Sequence, residues 1–101
     1  MTVRYDAHGR FVVSCAGEFD QETVGELAAA CDRVDADAGL VVLDVKDVAF
    51  ADSSFLNTLI QLRNTGPLVL QGPLPDQLHR LLSVTGALPL FEVRDAGAQA
   101  G

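Results

Sequence analysis

Residues 52–54 read Asp-Ser-Ser and stand between an apolar run at 48–51 and a helix-like run at 55–62. A carboxylate beside two hydroxyls admits three kinds of chemistry: nucleophilic attack, helix capping, or acceptance of a phosphoryl group. Nucleophilic attack needs a base to take the hydroxyl proton. Only two histidines are present, His8 and His79, far apart in the chain, and no GxSxG surrounds Ser53 or Ser54. No catalytic residue is therefore expected. Capping suits Asp and Ser, whose side-chain oxygens accept from the unpaired N–H groups of a first helical turn. One cap accounts for one such residue, not for three in succession.

Other chemistries find less support. Neither histidine belongs to an HExxH or CxxC spacing, so no metal site is expected. The acidic residues read as helix caps and solvated surface rather than as a metal cluster. No GxxxxGK[ST] or GxGxxG offers a phosphate-cradling loop, and no cofactor is expected. Cys15 and Cys31 are too few and too isolated for a disulfide framework, and both sit in apolar patterns that suit buried thiols.

The elements that must position the triplet follow from periodicity. Val3 and Tyr5, a polar turn at 6–9 and "RFVVSCAG" read as a β-hairpin. Asp20 is a predicted N-cap, with Glu22 in the first turn of a helix whose stripe is Val24, Leu27, Ala28, Cys31 and Val34. Gly39 suits the position past its end. Residues 40–45, "LVVLDV", form the continuous apolar run of a strand buried on both faces. A second helix is predicted over about residues 54–64 and is broken by Thr65-Gly66-Pro67. "PLVLQG" reads as another buried strand. "LPDQLHRLLSVTG" reads as a third helix, with Leu78, Leu81 and Leu82 on one face and Gly86 as its stop, and "LPLFEV" as a final short strand.

That order is ββαβαβα with a last strand. The fold class is α/β: one domain over residues 1–94, a mixed sheet with an N-terminal antiparallel hairpin, and helices packed on the sheet. Residues 95–101, poor in packing side chains, read as a flexible C-terminal tail. At 101 residues the chain supports one modest core.

Charge narrows the partners. Fourteen acidic and seven basic residues give a net charge of -7, and the basic residues are scattered singly. Nucleic-acid binding needs a basic stripe to neutralise phosphates, so direct nucleic-acid binding is not expected. No apolar run approaches the roughly 20 residues that span a bilayer, so membrane insertion is not expected either. The N-terminal segment lacks the basic and apolar regions of a signal peptide, which points to the cytoplasm.

The triplet follows a buried strand and opens a helix. In an open α/β sheet this is the functional edge, where a helix N-terminus favours negative charge. A phosphorylated serine there gains about -1.5 to -2 charge, so a surface that docks while neutral becomes much costlier to desolvate. The reading of the residues is a switch.

The element order, "GEFD" at 17–20, "LDVKDVAFADSSFLNTLIQL" at 43–62 and the later "LHRLLSVTGALPLFEV" together resemble the STAS domain family, in its anti-sigma factor antagonist branch. The resemblance covers roughly residues 3–93. It implies a protein that binds an anti-sigma factor when unphosphorylated and so releases a sigma factor. The implied partner is a serine kinase of the histidine-kinase-like ATPase fold, opposed by a PP2C-type phosphatase. The phosphoacceptor maps to Ser53. The implied docking face comprises Asp20, Asp52, Ser53, Ser54, Phe55, Asn57 and Thr58, with Asp52 orienting the loop and Ser54 helping to cap the helix. The chain departs from the family where many members carry Gly after the two serines, because here stands Phe55. On a helical wheel Phe55, Leu56, Leu59, Ile60 and Leu62 form an apolar arc with Phe55 toward one edge. That position suits either a core-edge residue or an exposed apolar anchor. Arg63 falls within the same arc, its stem packed and its head in water. The alternative function is a non-enzymatic STAS scaffold subunit of a stressosome-like complex or of a lipid-transport ATPase.

Overall fold

The computed structural model describes residues 2–5, 10–32 and 40–95, without the side chains of Tyr5, Cys31, Asp32 and Asp95. The predicted turn at 6–9, Val34, Gly39 and residues 96–101 of the predicted tail lie outside the described residues. Strands β1 (Thr2–Tyr5) and β2 (Phe11–Phe19) lead to helix α1 (Val24–Asp32). Strand β3 (Val41–Ala51), helix α2 (Ser53–Thr65), strand β4 (Leu68–Gly72) and helix α3 (Asp76–Val84) follow. A 3-10 turn at Leu88–Leu90 then precedes strand β5 (Glu92–Asp95).

The sheet has the order β1-β2-β3-β4-β5. β1 and β2 are antiparallel, and every later pair is parallel. This is the expected α/β fold with its N-terminal hairpin. The predicted final strand is displaced. "LPL" coils into the 3-10 turn, where Pro89 cannot donate to a ladder, and the strand runs from Glu92 through Asp95.

Burial on both sides of β3 is realised. Leu43 and Val45 join Val13, Cys15 and Phe19 of β2 in a core completed by Leu27 of α1, Phe55 and Leu59 of α2, and Leu78 and Leu82 of α3. The helices thus share one face of the sheet. On the opposite face Val12, Val42 and Val69 are buried and aligned across β2, β3 and β4. Of the predicted α1 stripe, Leu27 is buried and Val24 and Ala28 are half-buried, while the Cys31 side chain and Val34 lie outside the described residues; Ala30, not predicted, is also buried.

Two irregularities in the β2–β3 ladder matter for the site. The register shifts between Ser14 and Ala16 and again between Gly17 and Glu18. Each shift places one extra residue on β3, so its 11 residues span the same length as the 9 of β2. Gly17 takes a φ of 87°, a left-handed conformation that glycine adopts without steric cost. Past Val45 the buried residues of β3 therefore recur every third position, at Val48 and Ala51. The two strands finish level, with Phe19 opposite Ala51.

Candidate functional site

Because Phe19 and Ala51 end together, the next residues of the two chains, Asp20 and Asp52, lie side by side at the carboxyl edge of the sheet. The Asp52 N–H donates to the Phe19 carbonyl at 3.3 Å and ties the two segments together. Each aspartate then caps a helix.

Asp20 and Thr23 form a reciprocal capping pair. One Asp20 carboxylate oxygen accepts from the N–H groups of Glu22 (2.9 Å) and Thr23 (3.0 Å), and the Thr23 hydroxyl accepts from the Asp20 N–H (2.9 Å). The Val24 N–H donates to the Asp20 carbonyl at 2.9 Å, so the cap expected at Asp20 is present, although the regular helix begins at Val24. The backbone bonds from Thr23 and Glu22, joined by the Thr23 hydroxyl, hold the Asp20 carboxyl below its ordinary value of 3.8.

Asp52 is the N-cap of α2. Its backbone is extended (φ -117°), and one side-chain oxygen accepts from the N–H groups of Ser54 at 2.9 Å and Phe55 at 3.4 Å. The division of labour expected within the triplet is thereby corrected. Asp52 caps, while Ser54 lies inside the first turn and its carbonyl accepts from the Thr58 hydroxyl at 3.0 Å. Ser53 is the first residue of α2 and is exposed. Asn57, one turn further on the same helix face, is also exposed.

Phe55 resolves to the core alternative. Its side chain is completely buried, with its ring centroid 5.2 Å from that of Phe19 and the planes tilted by 46°. It is not an exposed anchor, because the wheel edge on which it sits faces the end of β2. Thr58 is likewise buried, with its hydroxyl turned back onto its own helix. Neither offers its side chain to a partner. The structure brings Asp20, Asp52, Ser53, Ser54 and Asn57 to one accessible edge and withdraws Phe55 and Thr58 beneath it.

Two residues at this edge escaped the sequence reading. Phe50 is 41% exposed and sits opposite Glu18 in the β2–β3 register. It is the exposed aromatic nearest the triplet in the chain, turned outward by the bulges, which strand alternation does not foretell. Gln77 of α3 reaches Ala51 with both ends of its amide: the Ala51 N–H donates to Oε1 (2.8 Å), and Nε2 donates to the Ala51 carbonyl (2.7 Å). No local motif announces a contact between residues so far apart in sequence. Arg63 donates from Nε to the Leu90 carbonyl at 2.6 Å, which fastens the end of α2 to the 3-10 turn.

Among the described residues no group of three or more His, Cys, Asp or Glu could hold a metal ion, and no helix is long and apolar enough to cross a membrane. Cys15 is buried in the core, as expected.

The chain is similar to several solved structures. An anti-sigma factor antagonist from Mycobacterium paratuberculosis shares 26% identity, over 92% of this chain and 82% of that one, with a TM-score of 0.80. The anti-sigma factor antagonist SpoIIAA in its unphosphorylated form shares 17%, over 94% and 86%, at 0.74. The Bacillus cell fate determinant SpoIIAA in its phosphorylated form shares 16%, over 94% and 89%, at 0.74. The comparison with curated proteins returned no match. A family model described as "Mlab, STAS domain" matches residues 3–89, nearly the whole of the described fold. With its five-stranded mixed sheet, its N-terminal hairpin and its capped turn at the end of β3, the chain belongs to the STAS domain family.

Proposed function

We propose that this protein is a non-enzymatic anti-sigma factor antagonist of the cytoplasm, switched by phosphorylation of Ser53. The observation that carries the reading is the exposed Ser53 hydroxyl on the first turn of α2, at an edge it shares with two capping aspartates. The likeness to the mycobacterial antagonist supports the general role. Unphosphorylated, the edge formed by Asp20, Asp52, Ser53, Ser54 and Asn57 docks an anti-sigma factor, a serine kinase of the histidine-kinase-like ATPase fold, and the sigma factor is released. Phosphorylation places about -1.5 to -2 charge next to the Asp52 carboxylate. The first-turn N–H groups of Ser54 and Phe55 already bond Asp52, so they do little to neutralise the new charge. The docked state then carries a desolvation cost and like-charge repulsion, and the partner leaves. A PP2C-type phosphatase restores the binding form.

The test is incubation with ATP and candidate anti-sigma kinases, read by intact mass. One added phosphate is expected on the wild type and none on Ser53→Ala, and Ser53→Asp is expected to bind the kinase more weakly. Phosphate on Ser54 would move the site. The second reading is a constitutive STAS scaffold, in a stressosome-like complex or beside a lipid-transport ATPase. Its support is the family match, which is to the STAS domain as such. Stable complex formation without any phosphorylation would favour it over the switch.

A further inference from the structure

Parallel pairing of β3 with β4 covers Val41 to Asp44, where Asp44 meets Gln71, whereas β2 accompanies β3 all the way to Ala51. The last part of β3 therefore extends past its β4 neighbour. In a parallel strand the N–H and C=O of one residue point to the same side, and the next residue points to the other. Asp52 directs its N–H toward β2, onto the Phe19 carbonyl, so Ala51 directs both of its backbone groups toward the side that β4 has left. Ala51 is 1% exposed, and an unmade bond on either group would be costly there. The Gln77 carboxamide meets both groups, at 2.8 and 2.7 Å. A primary amide carries one acceptor and a donor in one plane, so it substitutes for a peptide unit of the missing strand.

From this clamp we infer that Gln77 is a positioning residue: by fixing Ala51 from α3, it sets the backbone from which the Asp52 cap and Ser53 are presented. Asp52 is tied to β2 through its N–H, and Ala51 is tied to α3 through Gln77. The cap bonds from Asp52 to Ser54 and Phe55 start from a backbone held on both sides. Loosening one side frees the cap as well as Ala51. The inference deepens the reading of this edge as a recognition site and rests on it for its functional meaning, but its geometry concerns the isolated protein.

The experiment is amide hydrogen exchange by NMR on the wild type, Gln77→Ala and Gln77→Glu, without any partner. Failure here leaves the Ser53 phosphorylation test untouched, and failure there leaves this one untouched. Near neutral pH both variants are expected to exchange the amides of Ser54 and Phe55 about tenfold faster or more, while Leu43 in the core changes much less. The carboxyl introduced by Gln77→Glu accepts from the Ala51 N–H in either form, but donates to the Ala51 carbonyl only when protonated. Protonation is thus favoured in the clamped form, so protection is present at low pH and lost as pH rises. Expressed as protection relative to the intrinsic exchange rate at each pH, the protection of Ser54 and Phe55 should return on acidification in Gln77→Glu and not in Gln77→Ala. Unchanged exchange at Ser54 and Phe55 would overturn the inference. So would a uniform rise that includes Leu43, or a Gln77→Glu variant that acidification does not rescue.

Discussion

Asp52, Ser53 and Ser54 divide their work according to where each falls relative to the first turn of α2. The residue just outside the turn has a carboxylate free to fold back, so Asp52 takes the N–H groups of Ser54 and Phe55. Ser53 is left at the surface and Ser54 half-buried. Asp52→Ala should therefore cost about 1 kcal/mol of stability, and Ser54→Ala about 0.5 kcal/mol or less. Urea unfolding midpoints compare the two directly, and equal losses would return the cap to Ser54. The triplet itself was legible in the sequence because capping residues are few and recur at helix starts. The assignment of the cap was not legible, because Asp and Ser are near-equal caps and only the actual turn boundary separates them. Phe55 teaches the same lesson. The helical wheel placed it at an edge, and the position of Phe19 decided that this edge is interior.

At the scale of elements, two helices begin at one sheet edge, each capped by an aspartate, because bulges in β3 bring its end level with that of β2. The Asp20 cap gives α1 a pH dependence of known sign. Its carboxyl is held below the ordinary value of 3.8 by the backbone bonds from Thr23 and Glu22. The stabilisation is thus fully present above that unfolded value, and it is lost as pH falls through the lower folded one. In acid titrations followed by circular dichroism, Asp20→Asn should lack this part of the loss below pH 3.8. Equal acid sensitivity in both proteins would refute the assignment. The helices and most strands were legible because their apolar residues keep a period. The second half of β3 was not, since bulges replace the two-residue alternation with Val45, Val48 and Ala51 at every third position.

At the scale of the whole molecule the net charge of -7, with the basic residues scattered singly along the sequence, sets what the surface can attract. A fluorescent DNA duplex should show no change in anisotropy on addition of the protein at about 0.15 M salt, where a binder would need several cations at the phosphates. A saturable rise would contradict the charge argument. Composition, periodicity and capping residues, all local properties, determined the α/β class, the N-terminal hairpin, the order of the elements and the placement of the candidate triplet after β3. The family resemblance was legible for the same reason, since its motifs are contiguous and their order survives without coordinates. The tertiary structure alone decided how that site is built. The burial of Phe55 against Phe19, the outward turn of Phe50 and the clamp of Gln77 on Ala51 each join residues from different elements. Such contacts depend on strand register and on where a ladder runs out, and neither is written in any single stretch of sequence.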